Sequence, residues 1–151
     1  MMNKYMIVVF DFDLTLTTVH TGGIPNINTD YFGERLEVVK KILNNLEKDK
    51  ISVYICTRGV ASYVNTYVKS SKFKLAITGV WGATDLRELA SGDWHLRKVE
   101  ILDKICRHHK IDKSEIYFFD DTKKNIDAAK AAGYIHSIHV NLKHPVEDYF
   151  N

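Results

Sequence analysis

The chain has 151 residues, 45% of them hydrophobic, which suits one ordinary domain with its own core. Its 21 basic and 19 acidic residues leave a formal charge of +2, so charge gives no reason to invoke nucleic acid or a membrane surface. Cys56 and Cys106 are too few for a disulfide framework and fit reduced thiols in a cytoplasmic setting, and the apolar stretch Met6 to Phe10 is far short of the roughly 20 residues that span a bilayer.

Tyr5 to Phe10 is a continuous apolar run rich in β-branched and aromatic residues, the signature of a strand buried on both faces. It ends in the acidic segment Asp11-Phe12-Asp13. From Thr17 to Asp30 the Thr, Gly, Asn and Pro content predicts a long loop or short hairpin. Leu36, Val39, Ile42, Leu43 and Leu46 recur at helical spacing and predict a helix over 32–48. Ile51 to Cys56 is the second strand, followed by Thr57-Arg58-Gly59 and a helix over 60–69. Leu75-Ala76-Ile77 is the candidate third strand; the glycine-punctuated segment from Thr78 to Asp93 follows no clear period. A helix over 96–109, a strand at 116–119, a helix over 125–132 stopped by Gly133 and a strand over 135–140 complete the chain.

Strands alternating with helices predict a three-layer α/β/α domain around a central, mostly parallel sheet, spanning residues 1–151 as one unit. In such a sheet ligands bind beyond the carboxyl ends of the strands. The polar residues stand there: Asp11, Asp13 and Thr15 after the first strand, Thr57 and Arg58 after the second, Asp120 and Asp121 after the strand at 116. Lys98 lies near the start of the helix preceding that acidic pair. Several carboxylates at one edge repel unless a divalent cation neutralises them, and oxygen ligands select a hard ion such as Mg²⁺. The set covers the needs of phosphoryl transfer: a carboxylate to attack phosphorus, a second to protonate the leaving oxygen, and Thr57 and Lys98 to bind phosphoryl oxygens.

These residues, in this order, resemble the haloacid dehalogenase (HAD) superfamily of phosphohydrolases. The first motif of that family, a hydrophobic strand followed by D-x-D-x-T, is matched by Val8 to Thr15; the second, a strand ending in Thr or Ser, by Tyr54 to Thr57. The third, a lysine, is placed at Lys98, with Arg97, Lys123 and Lys124 as neighbouring basic alternatives. The fourth, D-D-x-x-x-N, is matched by Asp120 to Asn125. The resemblance implies a HAD-like Rossmannoid fold and an aspartyl-phosphate mechanism. Asp11 would be the nucleophile and Asp13 the general acid and base, with Mg²⁺ held by Asp11, the Asp13 backbone carbonyl and Asp121. Asp120 would bind the metal directly or through water.

Cap insertions usually set substrate range in this superfamily, and neither gap between motifs is long enough for a large one. The expected substrate is therefore a macromolecular phosphoester, a phosphoprotein or a polynucleotide end, and the expected protein a cytoplasmic monomer. Thr15, Arg58 and His20 are the candidate substrate contacts, and loops 17–31 and 78–95 the substrate-facing surfaces. Two alternatives stand beside this: a phosphatase of nucleotides or sugar phosphates, and a phospho-acceptor signalling domain. The order of the acidic groups argues against the second, because a receiver would place its pair after the first strand and its single acceptor after a middle one.

Overall fold

A computed structural model of the chain describes residues 6–82 and 93–150. The five strands among them are β1 (Ile7–Phe10), β2 (Ser52–Cys56), β3 (Gly79–Trp81), β4 (Ile116–Asp120) and β5 (Ser137–His139). They form one parallel sheet in the order β3-β2-β1-β4-β5. The helices are α1 (Leu36–Lys48), α2 (Ala61–Lys69), α3 (Trp94–His109), α4 (Lys123–Ala131) and the short α5 (Val146–Tyr149).

Period-2 alternation in β1 assigns the two helical layers. Val8 and Phe10 join the cluster that holds Val39 and Leu43 of α1 and Val64 and Val68 of α2. Ile7 and Val9 face the other way, into Leu102 and Ile105 of α3 and Ile126 and Ala129 of α4. All four strand residues are 3% exposed or less, which is why the run reads as unbroken apolar sequence and not as an alternating one. The order 3-2-1-4-5 reverses direction at β1 and β4, and the crevice for a ligand opens at their carboxyl ends. It also differs from the 2-1-3-4-5 order of receiver domains, which removes the fold basis for the signalling alternative.

Two local expectations need correction. The third strand is Gly79–Trp81, whereas residues 75–77 run outside the sheet with Leu75 and Ile77 buried against the first cluster. Hydrophobicity at 75–77 reports that burial, and Gly79 conceals the true strand. A Cβ there would lie 3.2 Å from the Tyr54 ring, so the strand carries no side chain at the position where β2 crowds it. The last strand is also shorter than 135–140, since Ile135 is 64% exposed in the turn that follows Gly133. Thr57 accepts from the Gly59 amide at 3.0 Å, while Val60 occupies the N-cap of α2.

No helix among the described residues is long and apolar enough to cross a membrane, and both cysteines are buried and free.

Candidate active site

Asp11 continues the β1 ladder by one residue: Phe10 pairs with Phe119, and the Asp11 amide donates to the Phe119 carbonyl at 2.9 Å. It falls on the same face of β1 as Ile7 and Val9, the face covered by α3 and α4. Lys98, on the first turns of α3, is thereby brought under it. The Lys98 ammonium donates to Asp11 Oδ1 at 3.0 Å and to Asp120 Oδ2 at 2.7 Å, with Lys98 2% and Asp120 0% exposed. The competing basic residues do not share this position: Lys123 and Lys124 are exposed, and Lys123 pairs with Asp127 at 2.7 Å.

One carboxylate oxygen from each of Asp11, Asp120 and Asp121 lies within 4.8 Å of the others. Three carboxylates against one ammonium leave this buried corner anionic. Burial pushes Asp11 up to about 6 despite the pull of Lys98, with Asp121 adding to the rise. Asp120 is raised as well, chiefly by burial. Burial alone would lower Lys98, but Asp11 and Asp120 outweigh it and hold the ammonium charged. The donor set is all oxygen, it is negatively charged, and Asp11 and Asp120 carry an ionisation penalty that a cation would relieve; it fits a hard divalent ion such as Mg²⁺.

The roles available to the two aspartates of the second doublet differ. Asp120 accepts three hydrogen bonds, from Lys98 and Asn125 on Oδ2 and from the Thr122 amide on Oδ1, whereas Asp121 is half-buried and lines the cavity. Asp120 is therefore the anchor of Lys98, and Asp121 offers the freer ligand oxygens.

A cavity of about 240 Å³ opens above this corner. Asp11, Asp13, Lys98 and Asp121 form its acidic and basic floor, Thr57, Arg58 and Gly59 one wall, and His20, Gly22 and Gly23 another. Because Thr57 Oγ1 accepts from Gly59, its own proton is free to be donated to a ligand oxygen. Asp13 reaches across to loop 17–31: Thr21 donates to it twice, from the hydroxyl at 2.7 Å and from the amide at 3.2 Å, and His20 Nδ1 stands 3.6 Å from Oδ2. Of the expected substrate contacts, Arg58 and His20 line the cavity. Thr15 does not: it is 1% exposed and donates its hydroxyl to Asp11 Oδ2 at 3.1 Å, so it orients that carboxylate from behind.

Loop 17–31 is locked to the β2 turn by backbone contact. The Val60 amide donates to the Gly23 carbonyl at 2.8 Å, and a Cβ on Gly59 would meet the Gly23 Cα and carbonyl oxygen at 2.4 Å. Gly59 does not adopt a positive φ, so its requirement is steric alone. Gly59→Ala is expected to displace the loop, lowering stability by about 1–3 kcal/mol and raising KM; thermal denaturation and steady-state kinetics check both. Of the second proposed surface, 78–95, residues 83–92 lie outside the described residues.

Three further residues belong to the site. Asn125 on α4 donates to Asp120 Oδ2 at 3.0 Å, and His95 Nδ1 lies 2.5 Å from Asn125 Oδ1. Asn125 closes the D-D-x-x-x-N segment, and His95 stands three residues before Lys98 on the same helical face, so both carried a spacing signal. Arg35 carried none. Its guanidinium donates to the Thr15 and Thr17 carbonyls at 2.9 and 2.8 Å and pairs with Glu147 of α5 at 2.6 Å, tying the loop after Asp13 to the end of the chain.

No protein-family model and no curated protein matches the sequence. Solved structures do match. The cobalt-bound deoxy-D-mannose-octulosonate 8-phosphate phosphatase of Haemophilus influenzae is 16% identical, with a TM-score of 0.60 over 98% of this chain and 77% of its own. The 3-deoxy-D-manno-octulosonate 8-phosphate phosphatase of Moraxella catarrhalis, in complex with magnesium, phosphate and KDO, is 18% identical, with a TM-score of 0.56 over 83% of this chain and 63% of its own. The N-terminal part of a Bacteroides fragilis protein containing a phosphatase domain, complexed with Mg, is 13% identical with a TM-score of 0.69 over 95% of this chain. The chain spans 38% of that Bacteroides chain and 59% of a similar hypothetical protein from Xanthomonas campestris. The fold is that of the HAD phosphatases.

Proposed function

We propose that the chain is a Mg²⁺-dependent phosphoric monoester hydrolase that works through a phosphorylated Asp11. One observation carries this reading: Lys98 bridges Asp11 and Asp120 beneath a cavity where Asp121 completes a three-carboxylate cluster. Asp11, Asp121 and the Asp13 carbonyl would hold the ion. Bound there, Mg²⁺ offsets the repulsion among the carboxylates and draws the charge of the phosphoryl oxygens.

Asp11 attacks phosphorus; its Oδ–P bond forms as the bond to the leaving oxygen breaks, and Asp13 gives that oxygen a proton. Asp13, now ionised, takes a proton from water, whose oxygen attacks the phosphoaspartate and releases phosphate. Thr57 and Lys98 donate to the phosphoryl oxygens throughout, and Lys98 holds the nucleophile in line. Arg58 and His20 flank the incoming group.

For the substrate, we favour a macromolecular phosphoester. The described residues contain no cap domain, and the walls of the cavity are the short turn after β2 and loop 17–31. The specific observation behind the second reading, a small phosphorylated metabolite, is that two of the similar structures are named as sugar-acid phosphatases. Turnover on phosphopeptides, 3′-phosphorylated oligonucleotides, nucleoside monophosphates and sugar phosphates, with Mg²⁺ and with EDTA, tests both. The expected result is Mg²⁺-dependent phosphate release with the highest kcat/KM on a macromolecular substrate. Higher kcat/KM on a small phosphate transfers the assignment to the second reading, and no release from any of them removes the activity.

A further inference from the structure

The buried contacts of Asp120 determine the hydrogen-bonding sense of a chain that reaches the surface of the domain. Asp120 is 0% exposed, and its Oδ1 accepts from the Thr122 amide at 2.8 Å while its Oδ2 accepts from the Lys98 ammonium at 2.7 Å. A carboxylate beside an ammonium at that distance is ionised and can only accept. The group of Asn125 that lies 3.0 Å from Oδ2 must therefore be its NH₂, because the reverse orientation would set an amide oxygen against a carboxylate. The amide oxygen then faces outward, and 2.5 Å away stands His95 Nδ1. An amide oxygen donates nothing, so Nδ1 carries the proton, and in the neutral ring Nε2 carries none.

We propose that His95 is a positioning residue of this site: through its Nδ1–H it fixes the Asn125 amide so that Asn125 holds Asp120 in place as the anchor of Lys98. His95 and Lys98 are three residues apart on the first turns of α3, on one face of the helix. The Asp93 side chain caps that helix, accepting from the His95 amide at 2.8 Å, which settles the backbone from which the ring projects. Asn125 is 3% exposed on α4, so the His95 contact bridges the starts of two helices that no strand pairing connects. Without the ring, the Asn125 oxygen loses its donor in a buried place, and the amide gains freedom to rotate away from Asp120. Lys98 is then shared less evenly between Asp120 and Asp11. The catalytic consequence rests on the phosphohydrolase reading; the hydrogen-bond assignment does not.

The test has two independent readouts. In protein labelled with ¹⁵N and ¹³C histidine at pH 8, His95, assigned by its loss in His95→Asn, is expected as the Nδ1–H tautomer, and Asn125→Leu is expected to abolish that preference. In Mg²⁺-dependent turnover, His95→Phe is expected to lower kcat about 10-fold, within the range for groups that orient a ligand shell, with KM changed by less than about two-fold. His95→Asn, whose amide donates from near the position of Nδ1, is expected to recover most of that loss. An Nε2–H tautomer in the wild-type protein, unchanged kcat in His95→Phe, or no recovery in His95→Asn overturns the proposal. Should the wild-type protein release no phosphate at all, the catalytic role falls with the phosphohydrolase reading, and the tautomer measurement alone decides whether His95 orients Asn125.

Discussion

Asp11→Asn is expected to reduce kcat by about four orders of magnitude or more, the scale on which loss of a covalent nucleophile acts, while leaving the fold intact. The two halves of this expectation have separate physical grounds. Asn keeps the size and planarity of the side chain, so Thr15 and Lys98 retain a group to contact, but a neutral amide is too weak a nucleophile to attack phosphorus. Stability should not suffer. Burial raises Asp11 from 3.8 to about 6, which means that its ionised form costs the folded state free energy near neutral pH, and Asn removes that charge. In EDTA at pH 8 the variant should melt at or above the wild-type temperature, read by circular dichroism. Hydrolysis by the purified variant at the wild-type rate would sink the covalent mechanism.

The parts of the site that the sequence exposes most plainly are those that adjoin regular structure. β1 announces itself because both of its faces are covered, and the acid that ends it lies by necessity at the sheet edge, one residue past Phe10. Asp120 and Asn125 are five apart because one ends β4 and the other sits in the first turn of α4. Lys98 is distinguishable from Lys123 only in three dimensions: both carry helical spacing and both helices cover the same face of β1, but Lys98 is buried beneath Asp11 while Lys123 stands exposed at the start of α4. β3 was misplaced because a strand can be defined by its neighbours' backbones while its own sequence, Gly-Val-Trp, carries little period. Arg35 illustrates the far limit. Its partners are two carbonyls and Glu147, the latter 112 residues away, and backbone carbonyls leave no trace in a sequence pattern. Thr15 shows a subtler gap, since a motif names the residue but not the direction in which its hydroxyl points.

Lys98→Met is expected to destabilise the metal-free protein by about 3–5 kcal/mol at pH 8, because it leaves two buried carboxylates without their cation. Met fills most of the lysine volume, so the loss reports charge and not packing. The sign of its pH dependence follows from the aspartates. A carboxyl whose folded pKa lies above its unfolded value contributes stability at low pH and loses it as pH rises through the folded value; for Asp11 in the wild-type protein that interval runs from 3.8 to about 6. The difference amounts to about 3 kcal/mol. Removing Lys98 removes the main group that lowers both aspartates, so the interval extends upward and the deficit of the variant grows as pH rises from 5 to 8 and the buried carboxyls are made to ionise. Added Mg²⁺ should restore part of the loss at pH 8 and little at pH 5, where protons compete for the same oxygens. Urea denaturation of both proteins at the two pH values, with EDTA and with Mg²⁺, measures all of this. A deficit that is equal at pH 5 and pH 8 would mean that Lys98 supports the fold by packing, and that the acidic corner does not depend on its charge.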